Sequence, residues 1–322
     1  QVEAQRAAAS AADLAALDLD LAAQARLQVY RAGALRALIG VAEAALATHT
    51  ERLREDTAAL NAGTLPPANV LRDEAEQARA QADLANAQRD YRLALVDLQT
   101  LLGLHPLSAI DVAPLDATWL AAGAEPPAAA ADDLTLALAQ RPELAAARAR
   151  LLATGADVRL AQGSRQPQVS AFGMAEAYAD RMNTDGRWAG YMIGVVAGLP
   201  LFDGGQRRAP FAAGRAAQLQ LAARETEAAL AIARDVLAAH ERLAAARANL
   251  PAAETALAAA SEDYRLRQVR YRNGLATNAE VLDSLQSQTR AAAARVGALN
   301  EVLAAREELR RARGDSAPVF DN

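Results

Sequence analysis

The sequence has no cysteine, and its 34 basic residues include no lysine: every one is arginine. The first absence excludes disulfide frameworks, thiol catalysis and cysteine-ligated zinc, and leaves the compartment to be argued from other features. Aromatic residues make up only 4% of the chain, too few to fill a broad core. Long apolar runs are also missing. The longest, Tyr191 to Phe202, contains Gly194, Gly198 and Pro200 and falls short of the ~20 residues of a spanning helix. Neither sign of charge dominates, since the formal net charge is −5. With no block of arginines interleaved with aromatics, no field for a phosphate backbone arises, and nucleic acid is not an expected partner. The chain opens at Gln1 without an apolar targeting stretch, so any signal peptide or lipid-bearing cysteine has been removed or was never included.

What is abundant is alanine, roughly a quarter of the chain, followed by leucine, a composition of long helices. A gapless internal repeat organises them. Asn61-Ala62-Gly63-Thr64 precedes Val70-Leu71, and Asn273-Gly274-Leu275 precedes Val281-Leu282 at an offset of 211 residues, which Gly103 and Gly314 also keep. Heptads share the register: Ile39, Leu46, Leu53 and Leu60 correspond to Leu250, Leu257, Tyr264 and Tyr271, with Ala246, Ala253 and Ala260 at the second seam position. After each glycine turn a second striped helix returns, through Leu282, Leu285, Thr289, Ala292, Val296, Leu299 and Leu303 in the later half and through Leu84, Tyr91, Leu95, Leu98 and Leu102 in the earlier one. Each half is therefore expected to be a long antiparallel helical hairpin. A helix from about 213 to 272 would reach ~90 Å at 1.5 Å per residue. Pro251 is expected to bend it rather than end it.

Between the hairpins the composition changes. Residues 106–131 read as a proline-punctuated linker with a short helix, and 132–166 as helical. Asp132 or Asp133 can cap that helix, and Arg141-Pro142-Glu143 marks either a kink or a second helix start. Residues 167–203 hold two extended segments around the turn signal Asn183-Thr184-Asp185-Gly186 and form an expected β-hairpin. The expected fold class is mainly α, with two structural repeats (1–105 and 204–314), one β-hairpin and a tail at 315–322. Strands this long, alternating small with larger apolar residues, suit a tilted barrel in a bilayer, although a soluble hairpin packed on helices is equally compatible with these residues alone.

Catalytic chemistry finds no support. His49, His105 and His240 are dispersed, with no carboxylate cluster at metal-ligand spacing, and there is no phosphate loop, serine elbow or paired-acid motif. No enzyme activity, metal or cofactor is expected. His49, on the heptad seam, reads as a packing or hydrogen-bonding residue.

Leu199-Pro200-Leu201-Phe202-Asp203-Gly204-Gly205 leads into the second long helix. Together with Arg141-Pro142-Glu143-Leu144, Pro167-Gln168-Val169 and the tip from Tyr271 to Asp283, it closely resembles the TolC-type outer-membrane efflux proteins over nearly the whole chain. The resemblance implies a homotrimer in which strands pool into one outer-membrane β-barrel and helices into a periplasm-spanning α-barrel. It further implies a passive duct serving tripartite efflux or type I secretion, partnered by a periplasmic adaptor, an inner-membrane pump and outer-membrane lipid. By the repeat offset, residue 1 corresponds to residue 212, so the equivalent of 132–211, with a second strand pair, is expected to precede Gln1. The competing expectation is a periplasmic coiled-coil adaptor or structural protein that never enters a membrane.

The same resemblance implies three sets of sites. Gly63, Thr64, Leu65, Gly274, Leu275 and Ala276 would meet the adaptor, although helix C-capping alone explains the glycines. Glu280 and Asp283 would form a pore constriction of negative charge, as aspartates do in the family; Thr277-Asn278-Ala279-Glu280 also fits a capping box. Tyr271 matches a gate-latching tyrosine, while Asn69 stands where an acid can occur and Ala276 where an arginine can.

Overall fold

The computed structural model describes residues 2–105, 107–121, 129–163, 166–179, 187–199, 204–206 and 208–315. In chain order these form α1 (Val2–Asn61), α2 (Pro67–Leu101), α3 (Thr118–Ala121), α4 (Ala130–Gln140), α5 (Pro142–Gly163), β1 (Gln168–Ala179), β2 (Arg187–Gly198), α6 (Arg208–Arg272) and α7 (Asn278–Arg313). Contacts divide the chain into two units, residues 1–15 with 142–231 and residues 16–141 with 232–322. α6 runs for 65 residues through Pro251 without ending. Proline removes one backbone donor, and the rest of the helix carries the turn.

The four repeat-related glycines share one backbone solution. Gly63, Gly103, Gly274 and Gly314 have φ of 73°, 65°, 71° and 83°. At each, two backbone bonds close the helix end: Thr64 N–H reaches Ala59 O at 3.0 Å and Gly63 N–H reaches Leu60 O at 2.9 Å, and Leu275 to Arg270 O and Gly274 to Tyr271 O repeat the pattern at 2.8 and 2.9 Å. This is the Schellman end, which needs a left-handed residue. A Cβ at Gly314 would also lie 3.3 Å from Arg141 N, whereas one at Gly63 would meet nothing. Both Gly63→Ala and Gly314→Ala are expected to cost about 1–2 kcal/mol of left-handed strain. The denaturation midpoint of Gly314→Ala should fall further, because its methyl group must also displace backbone.

In the unit of 16–141 and 232–322, buried Ile39, Tyr91, Ala94, Leu98 and Val112 join α1, α2 and the linker. Val296, Leu299 and Leu303 of α7 pack with Ala34 of α1 and with Leu115. The α7 stripe is therefore a core face, as its spacing predicts. Buried ion pairs cross this core. Arg26 on α1 donates to Glu307 on α7 at 2.7 Å, and burial raises the Glu307 carboxyl. Asp133 lies between His240 Nε2 at 2.7 Å and Arg313 Nε at 2.6 Å. Asp133 thus does not cap α4. The N-cap is Ala129, without a side-chain bond, and Asp133 is drawn inward by partners far away in sequence. At Arg141 the chain leaves the helix (φ −61°, ψ 120°) and α5 restarts with Pro142, so the second helix start is the option realised.

In the other unit, Leu144, Ala146, Ala149, Ala153, Ala156 and Val158 are the buried residues of α5. Gly214 of α6 sits so close that a Cβ would lie 3.0 Å from Val158 Cγ2; small residues here substitute close backbone approach for aromatic bulk. β1 and β2 pair antiparallel from Gln168↔Gly198 to Ala179↔Arg187, both within the 167–203 segment expected to form a β-hairpin. The turn signal 183–186, Pro200 to Asp203 and the tail beyond 315 lie outside the described residues.

Candidate functional site

Strand geometry sorts the side chains of the β-hairpin onto two faces. One carries Gln168, Ser170 and Glu176 with Phe172, Met174 and Met192. The Phe172 ring covers Gly194, where a Cβ would lie 2.7 Å from it. The opposite face, through Val169, Ala171, Ala175, Tyr191, Ile193, Val195 and Ala197, is apolar throughout. Tyr191 is 86% and Ile193 79% exposed. Among the described residues this sheet has two strands and hence two open edges, and no helix is long and apolar enough to cross a membrane.

The ends of the two helical hairpins are the other concentration of chemistry. At the second tip, Thr277 is the N-cap of α7: its hydroxyl accepts from Glu280 N–H at 3.3 Å, and Glu280 Oε2 accepts from Thr277 N–H at 2.7 Å. That backbone bond is the main cause holding the Glu280 carboxyl below its usual range. The Glu280 carboxylate is therefore already engaged by its own helix, whereas Asp283, one turn on, is exposed. Arg267 on α6 pairs with Asp263 at 2.8 Å and also feels the charges of Glu280 and Asp283. At the first tip, α2 starts on Pro66 and Pro67 with no side-chain cap. Gly63, Thr64, Gly274 and Leu275 are exposed, and Leu65 and Ala276 are half-buried.

Just behind the tips, four helices converge on a buried polar cluster. Arg52 of α1 donates to Asn278 Oδ1 of α7 in a short bond. Asn278 Nδ2 donates to Asp73 Oδ1 of α2 at 3.1 Å and to the Asn69 carbonyl at 3.4 Å. Asp56 of α1 and Asp73 flank the Arg52 guanidinium at 3.8 and 3.9 Å. Tyr271 of α6 donates to Asp56 Oδ2 at 2.9 Å, and Arg52 lies 5.2 Å from the centre of its ring, a cation–π distance. Asp73 is 1% exposed, and its Oδ2 has no hydrogen-bond partner among the described residues. Burial first, then the facing Asp56 carboxyl, pushes Asp73 up to about 6; burial and Asp56 likewise push the Tyr271 phenol up to about 12. His49, near Glu76 and Arg52, is lowered by burial.

Tyr271 and Asn69 are thus brought into one cluster: the acid facing Tyr271 is Asp56, while Asn69 gives its backbone carbonyl to Asn278 and its side chain bears on the Tyr271 phenol. Arg52, Asp56, Asp73 and Asn278 are the members that sequence inspection misses. The available signal was an Arg–Asp pair four residues apart beside the Leu53–Leu60 seam, which is indistinguishable in sequence from a solvated helix pair.

The structure of the outer-membrane protein VceC from Vibrio cholerae superposes with a TM-score of 0.85 at 21% identity, covering 97% of this chain and 74% of that one. The open state of the MtrE channel from Neisseria gonorrhoeae gives 0.83 at 21%, covering 98% and 71%, and the outer-membrane channel OprN gives 0.84 at 23%, covering 97% and 70%. These likenesses show a shared fold. No curated protein matches the sequence. The model of the family described as outer membrane efflux protein matches residues 134–315, more than half of the chain. The chain belongs to that family of outer-membrane efflux channels, which are passive conduits and not enzymes.

Proposed function

We propose that the full-length protein is a homotrimeric export duct, the outer-membrane component of a tripartite efflux or type I secretion system, working with a periplasmic adaptor and an inner-membrane pump. The observation that carries this is the β-hairpin, which among the described residues has one face apolar from Val169 to Ala175 and from Tyr191 to Ala197 and two open edges, in a chain otherwise built largely of two matched hairpins. Open edges require partner strands, and in lipid only a closed barrel satisfies them. Exposed apolar residues on the helices support lateral neighbours: Leu14, Leu17 and Leu21 recur along one side of α1, and Leu93 and Val96 are exposed on α2. We propose further that Asp283 is the principal acid of a constriction, with Glu280 secondary because its carboxylate is committed to the cap, and that the exposed tips at Gly63, Thr64, Gly274 and Leu275, with Leu65 and Ala276, meet the adaptor.

The test is conductance of the full-length protein in planar bilayers. Cation-selective pores are expected. Asp283→Asn should lower the cation-to-anion permeability ratio more than Glu280→Gln, whose amide oxygen can still accept from Thr277 N–H; Glu280→Ala should instead cost about 1 kcal/mol of helix capping. A protein that stays monomeric in water and never conducts would favour the coiled-coil adaptor, and pores with unaltered selectivity in Asp283→Asn would remove the constriction.

A further inference from the structure

All three methionines of this chain lie between residues 174 and 192. That placement runs against propensity. Methionine is among the better helix formers and is not a preferred strand residue, yet none occurs in α1 to α7, while Met174 and Met192 sit in β1 and β2. Packing within the chain does not account for them either, because Met174 is 51% and Met192 57% exposed.

The strand register sets these two thioethers directly across from each other. Met174 pairs with Met192, and Glu176 pairs with Gly190. Directly opposed residues have Cβ atoms ~4.5–5.5 Å apart. Each methionine is an unbranched arm that can swing its sulfur, so both sulfurs can close on one small ion. Two residues along β1, on the same face, Glu176 stands opposite a residue with no side chain, which leaves its carboxylate room to lean over the pair. Met174, Glu176, Gly190, Tyr191 and Met192 line a cavity of about 140 Å3 at this point. Beyond the pair in the other direction, the Phe172 ring covers Gly194 and closes that end of the face.

We propose that Met174, Met192 and Glu176 form a binding site for a soft monovalent cation, Cu(I) or Ag(I). The donor set decides the class. Thioether sulfur is a soft, uncharged ligand that suits Cu(I) and offers little to Mg2+, Ca2+ or Mn2+, which take oxygen donors. Zn2+ prefers thiolate, imidazole and carboxylate. This chain has no cysteine, and among the described residues no group of three or more His, Asp and Glu could hold a metal ion. One carboxylate balances one positive charge, so a monovalent ion leaves the site neutral and a divalent ion does not. Histidine and carboxylate spacing passes over such a site, because its sulfurs come from two strands that only pairing brings together. Access from water rests on the duct reading, in which this face lines the channel and the opposite one meets lipid; the donor set itself lies within one hairpin.

The test is titration of the full-length protein with silver nitrate in chloride-free buffer, read by calorimetry and by X-ray absorption at the silver edge. One silver ion per protomer, with sulfur neighbours, is expected. Loss of an outer partner alone costs a metal site about 10–100-fold in affinity, so Met174→Leu, which removes a donor, should weaken binding by about tenfold or more and shrink the sulfur signal. Leucine keeps nearly the same volume, and Met192→Leu carries the same expectation should Met174→Leu fail to assemble. Glu176→Gln should weaken binding while leaving the sulfur signal intact. Silver held without sulfur neighbours, or with unchanged affinity in both leucine variants, would overturn the site. A protein that conducts in bilayers but takes up no silver on sulfur would overturn the site and leave the duct, whereas one that binds silver through sulfur and never conducts would overturn only the duct.

Discussion

Arg52→Met is expected to destabilise the folded chain by about 3–5 kcal/mol, the cost of leaving buried charge without its partner. Methionine keeps most of the unbranched stem, so little of the loss comes from packing. What disappears is the only cation among the described residues that touches Asp56 and Asp73, the bond to Asn278 Oδ1 and the contact over the Tyr271 ring. Urea denaturation at fixed protein concentration measures this, since assembly contributes to apparent stability. Adding Asp73→Asn to Arg52→Met removes one of the stranded charges and should recover a substantial part of the loss. Two losses that simply add would show that the residues are not coupled as the geometry requires. A loss under about 1 kcal/mol for Arg52→Met alone would place the cluster among ordinary surface pairs.

Ile193→Arg and Met192→Arg differ by one residue in a strand and so place the same charge on opposite faces. If the apolar stretch of the β-hairpin face around Ile193 contacts hydrocarbon, Ile193→Arg is expected to cost about 2–4 kcal/mol per protomer near the bilayer midplane. Met192→Arg joins the face of Gln168, Ser170 and Glu176 and should cost far less. Folding of the full-length protein into lipid vesicles, followed through a urea series, gives both numbers. Equal penalties would mean that the two faces share one environment, and a larger penalty at Met192 would reverse the assignment.

The fold was legible wherever local stereochemistry leaves one choice. Gly63, Gly103, Gly274 and Gly314 sit where only a left-handed residue closes a helix, so one offset in the sequence reappears as four nearly equal φ values. The α7 stripe was legible because burial on a helix imposes its own period. Asp133 was misread for a physical reason. A carboxylate near a helix start satisfies the rules for a cap, and nothing local reveals that His240 and Arg313, more than a hundred residues away, draw it inward. The cluster behind the tips was hidden in the same way: Arg52 and Asn278 are 226 positions apart, and only folding brings them together. The capping box of Thr277 and Glu280, by contrast, could be read directly, since all of its atoms lie within one turn.

The two hairpin ends, alike in their glycines, differ in how the returning helix is started. Pro66 and Pro67 fix the backbone of the first through ring geometry, which no change of protonation or solvent can undo. The second depends on a hydroxyl and a carboxylate that exchange bonds with neighbouring amides. One return is hinged on covalent rings and the other on a fastener that can be undone, so a force applied equally to both would yield first at Thr277.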